Sequence, residues 1–396
     1  RPKSEITDED YNKFFLHLSM GFTADEALMT THWTAEGMIE YTALLYTPSM
    51  CPWDLFDPGR KHAVELYVKR VFITKDCKDL MYPWLRFLRG VIDSQDLPLN
   101  ISREMLQNNP VIEKIKNGVA TKVLKELDKL SKDNEAKFLT FWQQFGAVLK
   151  EGLYDAAEHK DGILKVCRFY STTSDTESVS LDDYVSRMKD GQKEIYYISG
   201  ENVETLKNSP QLEGFKARDI EVLLFKDTID DFWLQSVPNF GDYKFMSVTK
   251  GSIDLANFGK TEDDKSDAEP TPKASPKVEE LITLIKSTLA DEVGDVTIST
   301  RLTTSPSCLI AGEHEVDLKM ERILKNQQQY DANGKRVLEI NADHSLIQKL
   351  AENTANDHIK DAAHLLLDQA KIALGEPVDN PTEVPRRLNY FIENAN

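Results

Sequence analysis

The sequence predicts a multi-domain protein of mixed α+β and α/β class, with two α/β subdomains joined by helices and then a mainly helical C-terminal domain. Three observations predict it. The 396 residues exceed what one hydrophobic core ordinarily serves, while 40% hydrophobic and 29% charged residues are the balance of a folded chain. Strand-like β-branched and aromatic runs alternate with helical periodicities in the first part of the chain, and helical periodicities dominate the last part. Between the two parts, Gly259–Pro276 carries Glu262, Asp263, Asp264, Lys265, Asp267 and Glu269, then Pro270, Pro272 and Pro276. Prolines aside, its only apolar side chains are Ala268 and Ala274, so it buries nothing and reads as a solvated linker.

Each element follows from local pattern. Ile39–Tyr46 and Val64–Ile73 are rich in β-branched, aromatic and leucine residues and predict strands. Leu80–Leu88 predicts a short helix and Gly90–Asp93 a strand. Ile112, Ile115, Val119, Val123, Leu127 and Leu130 recur at helical spacing, with Asn109-Pro110 as the start of that helix, and a second helix covers Glu135–Leu149. A helix at Leu181–Met188 and strands at Ile195–Ile198 and Ile220–Leu224 follow. The expected division is a large α/β subdomain over about 1–130, connecting helices over 131–159 and a small α/β subdomain over 160–258. After the linker at 259–276, Ser275 is an N-cap and Pro276 an N1 proline. Val278, Leu281, Ile282, Ile285 and Leu289 then open a domain at 277–396. Its expected helices are Glu315–Lys325, Ser345–Ala351, His358–Leu374 and Pro381–Asn394, with short strands at Val296–Ser299 and Val337–Ile340.

Composition excludes several function classes. Lys plus Arg number 48 against 66 Asp plus Glu, a net charge of −18, and no dense basic run appears, so nucleic acid is not an expected partner. No apolar run approaches the ~20 residues that span a bilayer. The four cysteines, Cys51, Cys77, Cys167 and Cys308, are scattered, which suits reduced thiols in the cytoplasm rather than disulfides or zinc. There is no P-loop, no G-x-G-x-x-G, no G-x-S-x-G and no H-E-x-x-H, so no self-contained active site is expected and no metal site is predicted. The first residue is Arg1 rather than Met, which with the lack of a nucleotide motif suggests a piece of a longer protein.

One constellation carries chemistry. After the Gly90–Asp93 strand comes the loop 94–100. Ser102 can then cap a short helix from Arg103 to Gln107. Arg103 and Gln107 are four residues apart and share one face. A guanidinium fork at the end of a loop suits phosphate oxygens, and this is how a phosphotransfer site receives charge from a second domain. By spacing alone the commoner alternative also stands, in which Arg103 pairs with a nearby carboxylate and anchors its loop.

The string Leu97–Gln107 (Leu-Pro-Leu-Asn-Ile-Ser-Arg-Glu-Met-Leu-Gln) resembles the catalytic loop of the heat-shock protein 90 middle domain. Cys51–Phe56, Arg70–Lys75, Trp84–Ser94, Phe138–Gly152, Val179–Gly200 and Ile220–Asp231 are also similar to bacterial members. The likeness runs through the chain, more loosely after the linker. The resemblance implies the middle and C-terminal domains of an ATP-dependent chaperone that assists protein folding. Arg103 would reach the γ-phosphate of ATP, bound with Mg2+ in an N-terminal domain that this chain lacks, and Gln107 would support it. This chain alone would hydrolyse no ATP and hold no bound cofactor. Three departures accompany the likeness: the N-terminal ATPase domain is absent, the end Asn394-Ala395-Asn396 lacks the acidic pentapeptide of eukaryotic cytosolic members, and the linker is long and proline-rich.

The resemblance also implies binding surfaces. Glu315–Lys325 is amphipathic, with Val316, Met320, Ile323 and Leu324 in one stripe. Such a helix either packs on its own domain or, as in the family's exposed C-terminal helix, contacts unfolded clients. Phe232 and Trp233 lie where a middle-domain aromatic client contact is expected, and the sequence does not separate them. Ile359, Ala363, Leu366, Ala370 and Leu374, with Leu388, Phe391 and Ile392 of the last helix, suit helix-on-helix packing. Within one chain this closes the domain; in the family it builds a homodimer about a two-fold axis. Two other classes compete: the transducer part of a related DNA-repair or topoisomerase ATPase, against which the charge counts, and a passive dimeric scaffold.

Overall fold

The computed structural model describes residues 3–19, 26–57, 60, 63–75, 77–99, 106, 108–155, 157–251, 253, 255, 274–312, 315–326, 336–354 and 358–393. Among the described residues, three mixed, open sheets and many helices make the chain a multi-domain α+β protein. It divides into two compact units, Arg1–Arg168 with Gln235–Val237, and Phe169–Leu234 with Pro238–Asn396.

The first unit holds a five-stranded sheet in the order β1-β2-β5-β3-β4 (Met29–Ala35, Tyr41–Thr47, Arg89–Ser94, Ala63–Val68, Val71–Thr74). Its strands run antiparallel except for the β3/β5 pair. Gly90 is required where β5 meets β2: its φ is +148° and a Cβ there would lie 2.1 Å from the Leu44 carbonyl oxygen. The single strand expected at Val64–Ile73 is instead a hairpin. Lys69 and Arg70 form its two-residue turn with φ of 49° and 66°, the left-handed pair that the strand twist demands. Neither is Gly or Asn, so the turn left no signal. The helix expected at Leu80–Leu88 is two 3-10 turns, Lys78–Leu80 and Pro83–Leu85, because Pro83 has no N–H to continue a helix and can only open one.

Two helices cover this unit's core. Pro110–Asp133 starts as expected, with Asn109 Oδ1 accepting the Val111 N–H at 2.9 Å and proline at N1. Ile112, Ile115, Val119, Val123 and Leu127 face inward, whereas Leu130 is only half-buried. Glu135–Lys150 buries Phe138, Phe141, Trp142 and Phe145, and Phe87 stacks on Phe145 at 4.8 Å.

The second unit begins with a six-stranded sheet, β10-β11-β8-β9-β6-β7 (Asn239–Phe240, Tyr243–Ser247, Glu194–Ser199, Leu223–Phe225, Phe169–Ser171, Ser174–Val179). The helix Leu181–Ser186 is shorter than expected, and the strand expected at Ile220–Leu224 starts only at Leu223. The later part packs the helix Pro276–Thr288 and the helix Ile359–Ala373 around a three-stranded sheet, β12-β14-β13 (Asp295–Ile298, Val337–Ile340, Ser307–Ile310). Ser275 caps the first of these helices through its hydroxyl, with Pro276 at N1 as expected. Strands β1 and β13 and the helix Asp8–Leu18 were not foreseen.

Within this unit a polar seam joins the helical turns at 210–216 and the chain just past β11 to the later segments. The Glu213 carboxylate accepts the N–H groups of Thr303, Thr304 and Ser305 at 2.7–3.1 Å, and the Ser305 hydroxyl at 2.5 Å. Gln211 Nε2 donates to the Leu309 carbonyl at 2.8 Å. Arg301, 2% exposed, pairs with Glu339 at 3.0 Å and donates to the carbonyls of Val248 and Lys250.

Candidate functional site

The loop that carries the catalytic-loop string leaves β5 at Ser94. The buried Ser94 hydroxyl accepts the Leu97 N–H at 3.3 Å, and Asp96 accepts the Glu40 N–H at 2.6 Å. Leu97 and Leu106 are 1% and 3% exposed, so apolar anchors hold both ends of the string. Asn108 (φ 54°) and the Asn109 cap turn the chain directly into the long helix. Ser102, Arg103 and Gln107 lie outside the described residues.

The amphipathic helix is Leu318–Asn326, starting three residues later than expected. Its charged side is held in place. Asp317 Oδ1 accepts the Lys319 N–H at 2.9 Å, and Asp317 Oδ2 accepts the hydroxyls of Thr249 (2.8 Å) and Ser247. Lys319 pairs with Asp231 at 2.8 Å, while Glu321 meets Arg336 at 2.9 Å and also Lys325. Met320 is buried at 6% exposure, whereas Val316, Ile323 and Leu324 remain partly open. A cavity of about 330 Å³ beside this helix is lined by Ser199, Asn202, Thr205, Arg322 and Ile323, among others.

The helix Thr228–Ser236 separates the two aromatics. Trp233 is fully buried, its Nε1 donating to Asp230 at 2.8 Å and its ring 5.4 Å from that of Phe245. Phe232 is half-exposed. Burial pushes the Asp231 carboxyl up to about 6; Lys319 opposes this, and Asp317 and Asp230 add to it.

The last two helices divide their apolar residues. Leu366 and Ala370 lie in the core of their own unit, and Leu374 packs against it. The helix Glu383–Glu393 is seated by charge: Arg386 and Arg387 meet Asp361 at 3.1 and 3.3 Å. Leu388 and Ile392 point outward at 44% and 70% exposure, with Phe391 partly exposed. Ile372, 60% exposed, joins this outward set and was not foreseen, because it falls off the main stripe of its helix.

Among the described residues, no group of three His, Cys, Asp or Glu side chains could hold a metal ion, and no helix is long and apolar enough to cross a membrane. The structure is thus a multi-domain α+β protein with an anchored loop after β5 and apolar helix residues turned outward. The family model described as Hsp90 protein matches residues 1–395. Among its relatives, the chaperone protein HtpG of Paramagnetospirillum magneticum is 48% identical over 99% of this chain and 63% of its own length. That of Rhodospirillum rubrum is 46% identical over 98% and 62%, and that of Roseobacter denitrificans 47% over 100% and 64%. The chain belongs to the Hsp90 family. It spans a little over six-tenths of the length of these relatives.

Proposed function

We propose that this chain is the middle and C-terminal part of an ATP-dependent chaperone of the HtpG kind, acting in the cytoplasm as a homodimer. The observation that carries the reading is the Leu97–Gln107 string at the end of β5, in a chain 48% identical to a protein named as a chaperone. Arg103 would stabilise charge on the γ-phosphate of ATP held with Mg2+ by an N-terminal domain, and Gln107 would orient it. Residues 1–258 would form the middle domain and 277–396 the dimerisation domain, with 259–276 linking them.

Clients would bind along Val316, Ile323 and Leu324, with Met320 behind them, and at Phe232 rather than the buried Trp233. Partly exposed apolar side chains on, and just before, a helix clamped by its charged face give an adaptable surface of low ordering cost. Leu388, Phe391 and Ile392 would meet their two-fold mates, with Leu366, Ala370 and Leu374 supporting them from within the protomer.

The test joins an N-terminal ATP-binding domain to this chain in one polypeptide and measures turnover. ATP hydrolysis should appear in the fusion and be absent from the chain alone. Arg103→Ala should lower it by about a thousandfold, the scale of a removed arginine finger. Unchanged turnover in Arg103→Ala would remove the phosphate role.

A further inference from the structure

In a chain of net charge −18, three arginines of the first unit converge on one short segment. Arg60 donates from Nη1 to Asp54 Oδ1. Arg86 donates from Nε to the neighbouring Leu55 carbonyl at 2.8 Å. Arg89 opens β5 opposite Ala63, three residues on from Arg60, and Asp54 is the carboxylate that acts on it. The segment they meet is pinned: Leu55 is fully buried, and the Cys51 N–H donates to Gln144 Oε1 at 2.8 Å.

The three cations are not equally satisfied. Glu151 takes Arg86 in a bidentate grip at 2.5 and 2.8 Å, and the Pro83 carbonyl accepts a further N–H at 3.0 Å. The Arg60 side chain is only 5% exposed, yet its buried Nε has no acceptor among the described residues. Arg89 is half-buried, and no hydrogen bond or ion pair to its guanidinium occurs among the described residues. Among the described residues, Asp54 is the carboxylate whose charge acts on both Arg60 and Arg89, and Glu151 is the one that grips Arg86. Burial pulls both Arg60 and Arg89 below the usual guanidinium range, and the charges of Arg89 and Arg86 add to the effect on Arg60. A partly desolvated cation short of counter-charge is costly, and an anion that enters lowers that cost.

We propose that Arg60 and Arg89, backed by Arg86, form a binding site for a phosphate-type oxyanion. A guanidinium fork matches tetrahedral oxyanion geometry, and the pinned 51–55 segment holds the site before the ion arrives. The anion supplies the acceptors that Asp54 alone does not.

The test uses the full chain. Inorganic phosphate replaces chloride at constant ionic strength, and the heat of binding is recorded. Saturable binding is expected, about tenfold weaker in Arg89→Ala, the loss of one charge-assisted contact. Arg89→Lys keeps the charge but not the fork and should fall between the two. O-phosphoserine, titrated in parallel, distinguishes a free ion from a phosphoryl group carried on a side chain: tighter binding of phosphoserine assigns the carried source, tighter binding of phosphate the free ion. Cys51, the one cysteine of the four that is not buried, gives a readout independent of folding stability. Arg60 and Arg86 draw its thiol pKa down against the burial that raises it. A seated oxyanion offsets their field, so phosphate should slow alkylation of Cys51 in the parent chain and not in Arg89→Ala. No effect of phosphate beyond that of chloride, or an equal response in the parent and Arg89→Ala, overturns the site.

Discussion

Lys319 Nζ lies 2.8 Å from Asp231 Oδ2, so one ion pair joins the amphipathic helix Leu318–Asn326 to the helix that carries Phe232 and Trp233. The pair gives a pH signature. Burial raises the Asp231 carboxyl from 3.8 to about 6 in the folded chain. Between about pH 4 and 6 the folded state therefore binds more protons than the unfolded state, so this group's contribution to stability falls as pH rises through that window and is flat above it. Asp231→Asn should remove that slope. Urea midpoints from pH 4 to 7 check it, and parallel curves for the two proteins would count against a raised carboxyl.

Glu213 should behave in the opposite sense. Burial acts to raise its pKa, but the Ser305 hydroxyl and the N–H groups of Thr304, Thr303 and Ser305 overcome it and hold the carboxylate at about 2. Its stabilising effect is complete above about pH 4.5 and is lost as pH falls from there toward about 2. Glu213→Gln keeps the shape and removes the charge. It should cost about 2 kcal/mol at pH 7, the scale of hydrogen bonds to a charged acceptor, and the deficit should shrink on acidification. Chemical denaturation at pH 7 and pH 3 measures both.

The two neighbouring aromatics should separate cleanly. Trp233→Ala opens a cavity among Phe169, Phe225 and Phe245 and should destabilise the second unit by about 3–5 kcal/mol. Phe232→Ala should change stability by about 1 kcal/mol or less while weakening suppression of client aggregation. Thermal denaturation and an aggregation assay on the same preparations test the pair. Equal aggregation suppression by Phe232→Ala and the parent chain would leave Phe232 without a client role.

Ile392→Asp places a charge on a side chain that is already 70% exposed, so the protomer should keep its fold. If the outward face meets a second copy, that charge is buried against apolar surface in the dimer and the dimer should weaken at least tenfold. Sedimentation equilibrium of the parent and variant reads this directly.

The long helices were legible because period and caps agree: Asn109-Pro110 and Ser275-Pro276 announce helices whose apolar stripes then face their cores. The β3–β4 hairpin was not, since Lys69 and Arg70 adopt left-handed angles without the residues that usually mark them. Nor could pattern separate Phe232 from Trp233. Adjacent helix positions point about 100° apart, and which one faces inward depends on Phe169 and Phe245, which come from distant strands. The polar seam was invisible for the same reason, because Glu213 and Ser305 are 92 residues apart.

That separation bears on synthesis. A ribosome delivers Gln211, Glu213 and Thr249 long before it delivers Ser305, Leu309 and Ala311, whose N–H bonds the Thr249 carbonyl at 2.8 Å. Until then the emerging part of the unit carries a carboxylate and an amide on the helical turns at 210–216, and a main-chain carbonyl just past β11, with no protein partner from the later segment. Vectorial folding of the second unit should therefore pause with this face wet and finish only when the chain near residue 311 clears the exit tunnel.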